Sequence, residues 1–376
     1  MRDLLELRDE IDSIDSEIVA LFERRMGISQ EVAEYKISVG KPVFDKEREQ
    51  SKLNTLAEKV HTDFLKLGVQ ELFEQIMSIS RKRQYQLLTE HGKVEASEFE
   101  EVDKLDYKDA KIVFQGTEGA YSQLAMKEYF GNNTDSWHVE TWRDAMEAIK
   151  NGEADYAVLP IENSSAGIVS ENYDLLVEYD NCIVGEQIIK IDHALLALPG
   201  ATKEDITDIY SHPQALMQCG KYLEGHREWE KHSYKNTAMA SQKVKEDAKI
   251  YKAAIGSKLN ADIYGLQVLE EAIQDNKSNY TRFIIVTGKK VFTKDANKIS
   301  ISFEIPHESG SLYHKLSHFI YNGLNMNKIE SRPVPDKTWE YRFFVDFDGN
   351  LKDAAVQNAL RGLKEETICL KILGNY

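Results

Sequence analysis

The strongest constraint on the fold is a heptad stripe at the start of the chain. From Leu4 to Val39 the apolar residues Leu4, Leu7, Ile11, Ile14, Ile18, Leu21, Ile28, Val32, Tyr35 and Val39 recur in steps of mostly three and four. Such a period predicts one long helix, and Gly40-Lys41-Pro42 stops it. At ~1.5 Å per residue the helix runs ~54 Å, longer than a small domain is wide, so its stripe needs a partner to bury it. A second helix is expected from about Asp45 to Val60, and a third carries Val69, Phe73, Ile76 and Leu87 on one face.

After this helical segment the composition shifts. Residues 90–109 hold eight acids against three lysines and show no period, so 91–109 reads as an acidic linker. Beyond it, short apolar runs end in polar loops and alternate with helical stretches: Lys111–Gln115, Ala157–Leu159, Ala194–Leu198, Ile209–Tyr210, Ala253–Ile255 and Phe283–Val286. That grammar is α/β, with the loops carrying the site. From Lys298 the order becomes strand, helix, two strands, helix, strand, a small ferredoxin-like unit. The expected division is a helical domain over 1–90, an α/β domain over 110–290 and an α+β domain over 297–376. Three domains also suit the length of 376 residues.

Charge and cysteine usage narrow the partners. The net charge of −16 disfavours nucleic acid and anionic membranes. Any basic groups that hold an anion must therefore be local. Cys182, Cys219 and Cys369 are far apart, so neither a disulfide framework nor a thiolate metal site is expected. No apolar run resembles a signal peptide or a membrane span. The chain reads as a soluble, cytoplasmic protein.

Several basic and polar residues stand where apolar ones belong. One heptad position reads Leu4, Ile11, Ile18, Arg25, Val32, Val39. A buried guanidinium is costly unless it meets an anion; Arg25 either sets the helix register, joins an internal ion pair or binds a ligand. Arg8 and Lys36 flank the stripe, ~42 Å apart on one helix. No small ligand touches both within one chain, but two antiparallel copies would bring them together. Asp45, Arg48 and Glu49 share a face at the start of the second helix, where Asp45 can equally serve as a cap. Ser80 sits in the third helix's stripe with Gln84 one turn on.

Leu7-Arg8, Glu23-Arg24-Arg25, Lys36, Asp45-x-x-Arg48-Glu49 and Ser80-x-x-x-Gln84 together resemble the all-helical chorismate mutases. The resemblance implies three helices in an intertwined dimer. Arg8, Arg25, Lys36 and Arg48 would hold the two carboxylates and the ether oxygen of chorismate. Asp45, Glu49, Ser80 and Gln84 would complete a polar ring, with Lys36, Gln84 and Arg25 closest to the chemistry. A Claisen rearrangement needs no nucleophile or proton shuttle; it needs a compact substrate and donors where charge grows on the breaking C–O bond.

In the middle segment Gly116-x-x-Gly119-Ala-Tyr121-Ser122 follows a strand and opens a helix, as anion-cradling loops do. It lacks the third glycine of a dinucleotide fold and the Gly-Lys-Ser/Thr of a P-loop. Pro160-Ile-Glu162-Asn163-Ser164, His212-Pro-Gln214-Ala-Leu-x-Gln-Cys and Asn279-x-Thr281-Arg282-Phe283 place polar groups at comparable strand ends. In this order the phrases strongly resemble prephenate dehydratase. The resemblance implies two α/β lobes similar to periplasmic binding proteins, with prephenate in the cleft. Gly119, Tyr121, Ser122, Asn163, Ser164, His212 and Gln214 would line it, with Arg282 as carboxylate partner. Thr281 would donate to the leaving hydroxyl; its hydroxyl is too weak an acid for simple general acid catalysis, and Glu162 is the alternative acid. One departure is Thr117, where the family often has proline.

In the last segment Gly310-Ser311-Leu312 and Glu330-Ser331-Arg332-Pro333 resemble the phenylalanine-binding ACT domain, with Ser311 in place of the usual alanine. L-phenylalanine would then be an allosteric inhibitor; the other reading is a dimerising fold without a ligand. His314 and His318 are spaced for one helix face and read as solvated rather than metal-binding. The whole chain is expected to be a multidomain enzyme that turns chorismate into prephenate and prephenate into phenylpyruvate. It would use no metal and no cofactor, and it would be at least a homodimer, with a tetramer open. The rivals are a ligand sensor without turnover and a dehydratase whose helical domain has lost its activity.

Overall fold

A computed structural model of the chain describes residues 2–92, 97–335, 337 and 339–376; Glu95 of the expected linker lies outside them. The chain forms two compact units. One comprises Met1–Ser97 with Asn297–Ile372, the other Glu98–Ala296 with Leu373–Tyr376.

The first unit opens with helices α1 (Leu4–Val39), α2 (Lys46–Ala57) and α3 (Asp63–Glu90). Helix α1 ends at Gly40, whose φ of 69° lies in the left-handed region that glycine adopts without penalty. Asp45 caps α2, its Oδ1 accepting the Arg48 N–H at 3.1 Å, and Thr62 caps α3 by accepting the Leu65 N–H. Both α1 and α2 pack on α3. Ala33 is the one buried residue of α1 among those described. The heptad stripe lies bare: Ile11, Ile14, Ile18, Leu21 and Ile28 are each about half exposed or more.

The rest of this unit has the order strand (Lys298–Glu304), helix (Ser311–Tyr321), strands (Met326–Pro333, Tyr341–Asp348), helix (Ala354–Glu366), strand (Cys369–Asn375). The helix Ala354–Glu366 packs against α3. His318 departs from the expected solvated position. It is 1% exposed, with Nε2 3.2 Å from the buried Glu366 carboxylate, because this helix turns one face onto Ala354–Glu366. His314 is also turned inward, 3.3 Å from Glu74.

The second unit has two lobes. In one, the sheet order is Cys182–Lys190, Tyr280–Thr287, Tyr156–Asn163, Lys111–Gln115, Asp135–Val139, around a core that includes Ile112, Phe114, Val158, Phe283 and Ile285. In the other it is Gln267–Glu270, Ala194–Ala197, Lys252–Gly256, Asp208–Ser211, Glu230–Ser233, with apolar clusters around Leu195 and Ile255 and around Leu196 and Ala254. The chain crosses between lobes after Lys190 and returns before Tyr280. The two crossings are tied together: Ile191 N–H donates to Asn279 O, and Gln274 bridges Asp192 and the His193 N–H.

Two boundaries differ from the sequence reading. The acidic stretch is not all linker: Glu100–Val102 forms a parallel strand with Val291–Thr293. Lys290 and Lys294 offset its flanking acids through Glu98 and Asp103. At the other end Leu373–Tyr376 clusters with the α/β unit, where Gly374 pairs with Ile183.

Candidate active sites

In the helical unit the polar residues of α1 and α3 meet. Arg25 donates to Ser80 Oγ at 2.7 Å, and the Ser80 hydroxyl donates in turn to the Ile76 carbonyl at 2.9 Å. Gln84 Nε2 donates to Ser29 Oγ at 3.3 Å, while Gln84 Oε1 is buried without a partner among the described residues. Burial pushes the Arg25 guanidinium down against the pull of Glu49. Burial likewise lowers the Lys36 ammonium, which lies in the field of Asp45, Glu365, Glu49 and Arg48 and donates to Val43 O. Arg25, Lys36, Glu49, Ser80 and Gln84 are therefore one neighbourhood of a single chain, with Arg48 exposed at its margin. Asp45 spends one oxygen on its cap. Arg8 stands apart near the other end of α1, exposed.

In the α/β unit the central strand Tyr280–Thr287 lies between Tyr156–Asn163 and Cys182–Lys190, so Thr281 is register-paired with Asn163. Asn163 Nδ2 donates to Thr281 Oγ1 at 2.9 Å and to Asn279 Oδ1 at 2.8 Å. Its Oδ1 accepts the N–H groups of Ser165 and Ala166. Ser164 is stitched to the same strand through the Tyr280 N–H and the Ser278 carbonyl.

Thr281 and Arg282, both expected to reach the substrate, have different surroundings. Neighbours on a strand face opposite sides of a sheet, and Arg282 is register-paired with Glu162. Its Nε donates to Glu186 at 2.7 Å and its Nη2 to the Tyr376 hydroxyl at 2.7 Å. Glu162, the alternative acid, shares that opposite face and is likewise turned from Thr281.

The glycine loop and the second lobe supply the remaining groups. Gly119 has φ +85°, and a Cβ there would stand 2.1 Å from Asn260 Oδ1, so only glycine fits. Asn260 belongs to the second lobe and is fully buried, with both amide atoms unpartnered among the described residues. Tyr264 of the same lobe donates to Glu118 O at 2.7 Å. Tyr121 and Ser122 are engaged structurally: the Tyr121 hydroxyl donates to Asp192 O at 2.8 Å, and Ser122 Oγ to Gln115 O. His212 caps its helix by accepting the Gln214 N–H.

Sequence reasoning assigned nothing to His193, 2% exposed, which lies 3.2 Å from the Tyr121 hydroxyl and 2.9 Å from Gln218 Oε1. Burial pushes its imidazole down. Gln218 lies inside the His212 phrase, so that motif pointed to its neighbourhood without naming it.

In the C-terminal part of the first unit, Pro306, Gly310, Ser311 and Leu312 with Trp339, Tyr341 and Phe343 help to line a half-open cavity of about 200 Å³. Glu330, Ser331, Arg332 and Pro333 are not among its lining; they lie on the edge strand Met326–Pro333.

Three helices with a half-buried cationic cluster, on one chain with a two-lobed α/β unit that has a Thr–Asn pair at its strand ends, are the features of a two-site enzyme. Comparison with known proteins identifies the family. The chorismate mutase type II family model matches residues 7–85 and the prephenate dehydratase model matches residues 112–291. The bifunctional chorismate mutase/prephenate dehydratase of Escherichia coli K12 is 33% identical over 99% of this chain and 96% of its own length. Among solved structures, prephenate dehydratase from Arthrobacter aurescens in complex with L-Phe is 32% identical, with a TM-score of 0.65, over 71% of this chain and 89% of that one. GqqA, described as a novel type of quorum quenching acylase, is 29% identical with a TM-score of 0.66, over 71% and 97%. The chain belongs to the family of bifunctional chorismate mutase/prephenate dehydratases, an isomerase and a lyase of phenylalanine biosynthesis on one polypeptide.

Proposed function

We propose that the helical unit performs the rearrangement of chorismate in a site completed by a second copy of the chain. The observation that carries this is the Arg25–Ser80–Gln84–Lys36 cluster, assembled in one chain beneath a bare apolar stripe that ends near Arg8. A homodimer formed along that stripe buries it and delivers the partner's Arg8 to each cluster. Arg25, Arg48 and Arg8 then hold the substrate carboxylates by charge-assisted hydrogen bonds. Lys36 and Gln84 face the ether oxygen. A flip of the Gln84 amide turns its N–H₂ into the direction left unfilled by Oε1, placing a second donor where negative charge develops. Glu49, an acceptor, suits the substrate's hydroxyl.

In the α/β unit Thr281, held by Asn163, donates to the departing hydroxyl of prephenate as the carboxylate leaves as CO₂. His212 and Gln214 of the second lobe, with Gly119 and Ser164 of the first, are the proposed contacts of the substrate. Arg282 fits better as a brace that joins Glu186 to Tyr376 than as a substrate ligand.

The C-terminal part is an ACT-type regulatory domain in this reading, and its aromatic cavity takes L-phenylalanine. A second copy would present Glu330–Pro333 to the same amino acid. No helix among the described residues is long and apolar enough to cross a membrane, and the cysteines form no disulfide; both fit work in the cytoplasm.

The test is chromatography of the products formed from chorismate with no cofactor added and no acid quench, since acid alone converts prephenate to phenylpyruvate. Phenylpyruvate that falls on addition of phenylalanine is the expected result. Prephenate alone would remove the dehydratase assignment. Unchanged chorismate would remove the mutase assignment.

A further inference from the structure

Arg81 follows Ser80 on α3 but faces a different surrounding. Its side chain is 7% exposed, and it holds two carboxylates from different parts of the first unit. One guanidinium nitrogen pairs with Glu49 on α2, and Nε donates to Glu366 Oε1 at 2.8 Å. The Phe44 ring lies against the guanidinium, 4.9 Å from centroid to carbon. Burial alone would lower the Arg81 guanidinium, but Glu366 and Glu49 outweigh it and raise it. Glu366, at the end of the C-terminal helix, is itself 1% exposed and has Lys315 at 3.3 Å. Its neighbour Glu365 accepts the Phe44 N–H at 3.0 Å and the Tyr85 hydroxyl at 2.9 Å. Phe44 adjoins Val43, whose carbonyl takes Lys36. Of two successive glutamates of the C-terminal helix, Glu365 therefore holds the Phe44 end of the segment that carries Asp45, Arg48 and Glu49, and Glu366 reaches Glu49 through Arg81.

We infer that Arg81 is a positioning residue for the mutase: it fixes the Glu49 carboxylate from behind and makes that placement depend on Glu366 of the C-terminal domain. The inference rests on the mutase reading of Arg25, Lys36 and Gln84. A planar guanidinium can serve two carboxylates at once in fixed directions, whereas a lysine ammonium is a point charge on a loose stem. Glu49, 21% exposed, keeps surface towards the site while its bond to Arg81 sets its direction. Rearrangement rates depend steeply on such placement, with a misplacement of ~1 Å costing up to ~10²-fold.

The experiment uses the full-length chain with Arg81→Lys, Glu366→Gln, Glu49→Gln and the double variant Arg81→Lys/Glu49→Gln. Chorismate turnover and the turnover of separately supplied prephenate are measured for each. Arg81→Lys is expected to lower mutase kcat/KM by about 10-fold or more and Glu366→Gln by less, with prephenate turnover within about twofold of the parent. Because Arg81 acts through Glu49, the double variant should be no slower than Glu49→Gln alone. Parental mutase kcat/KM in Arg81→Lys overturns the inference. So do additive losses in the double variant, or equal losses of both activities, which would mean a merely structural role. Arg25→Ala run alongside separates the two levels: if it too keeps parental mutase turnover, the mutase reading itself has failed.

Discussion

Thr281 and Arg282 are adjacent in sequence yet live in different surroundings. Thr281 is paired with Asn163, and Arg282 is held by Glu186 and Tyr376. Removing the Thr281 hydroxyl should cost phenylpyruvate formation on the order of 10²–10³-fold, the usual weight of one well-placed donor. In Thr281→Ala, prephenate should therefore build up from chorismate, followed by chromatography. Thr281→Ser should retain more activity, and parental phenylpyruvate output from Thr281→Ala would remove the residue from catalysis. Arg25, Ser80 and Gln84 were legible in the sequence because polarity inside an apolar period is an anomaly that can be counted. The separation of Arg282 from Thr281 follows from strand alternation, and the sequence reading took the two as a unit because their motif is contiguous. His193 lies in no apolar period and no motif; its contacts come from two crossings of the chain that meet only in the fold.

At the scale of elements, α1 to α3 and the strand–helix order were legible from period and breakers. The second interface of α3 was not, because Arg81 and Lys82 are of the types that normally coat a solvated helix face. They are buried here because Glu366 and Ser317 on C-terminal helices meet them. The same seam explains His318. Burial works against the Glu366 charge, but His318, Arg81 and Lys315 outweigh it and hold its carboxyl well below the usual carboxylate range. The folded state then binds this proton less readily than the unfolded one. The stability that Glu366 contributes is present above the ordinary value of 4.5 and is lost as pH falls through the lower, folded value. Denaturant unfolding at pH 5.5 and pH 3.5 should show a smaller acid loss in Glu366→Gln than in the parent. An identical loss in both would mean that Glu366 is not one of the groups that drive acid unfolding.

At the scale of the whole molecule, the exposed stripe of α1 and the isolation of Arg8 lead to one quantitative expectation. If each mutase site takes Arg8 from one chain and Arg25 from the other, Arg8→Ala and Arg25→Ala are each inactive alone. Unfolded and refolded together in equal amounts, they form hybrid dimers in which one site is intact, restoring about a quarter of the parental mutase rate. A mixture that stays inactive while forming dimers by sedimentation would place both arginines in a site within one chain. The dimer is an expectation drawn from helix length and from the separation of Arg8 and Lys36, whereas no period in the sequence fixed which strand would close the α/β sheet. That strand, Tyr280–Thr287, slots between two others laid down far earlier: Asn163 waits 118 residues for Thr281. On the ribosome the first lobe must therefore remain split, with two open sheet edges, until the second lobe has emerged. Such edges are sticky, so a stall between the lobes would release an aggregation-prone fragment with no dehydratase activity.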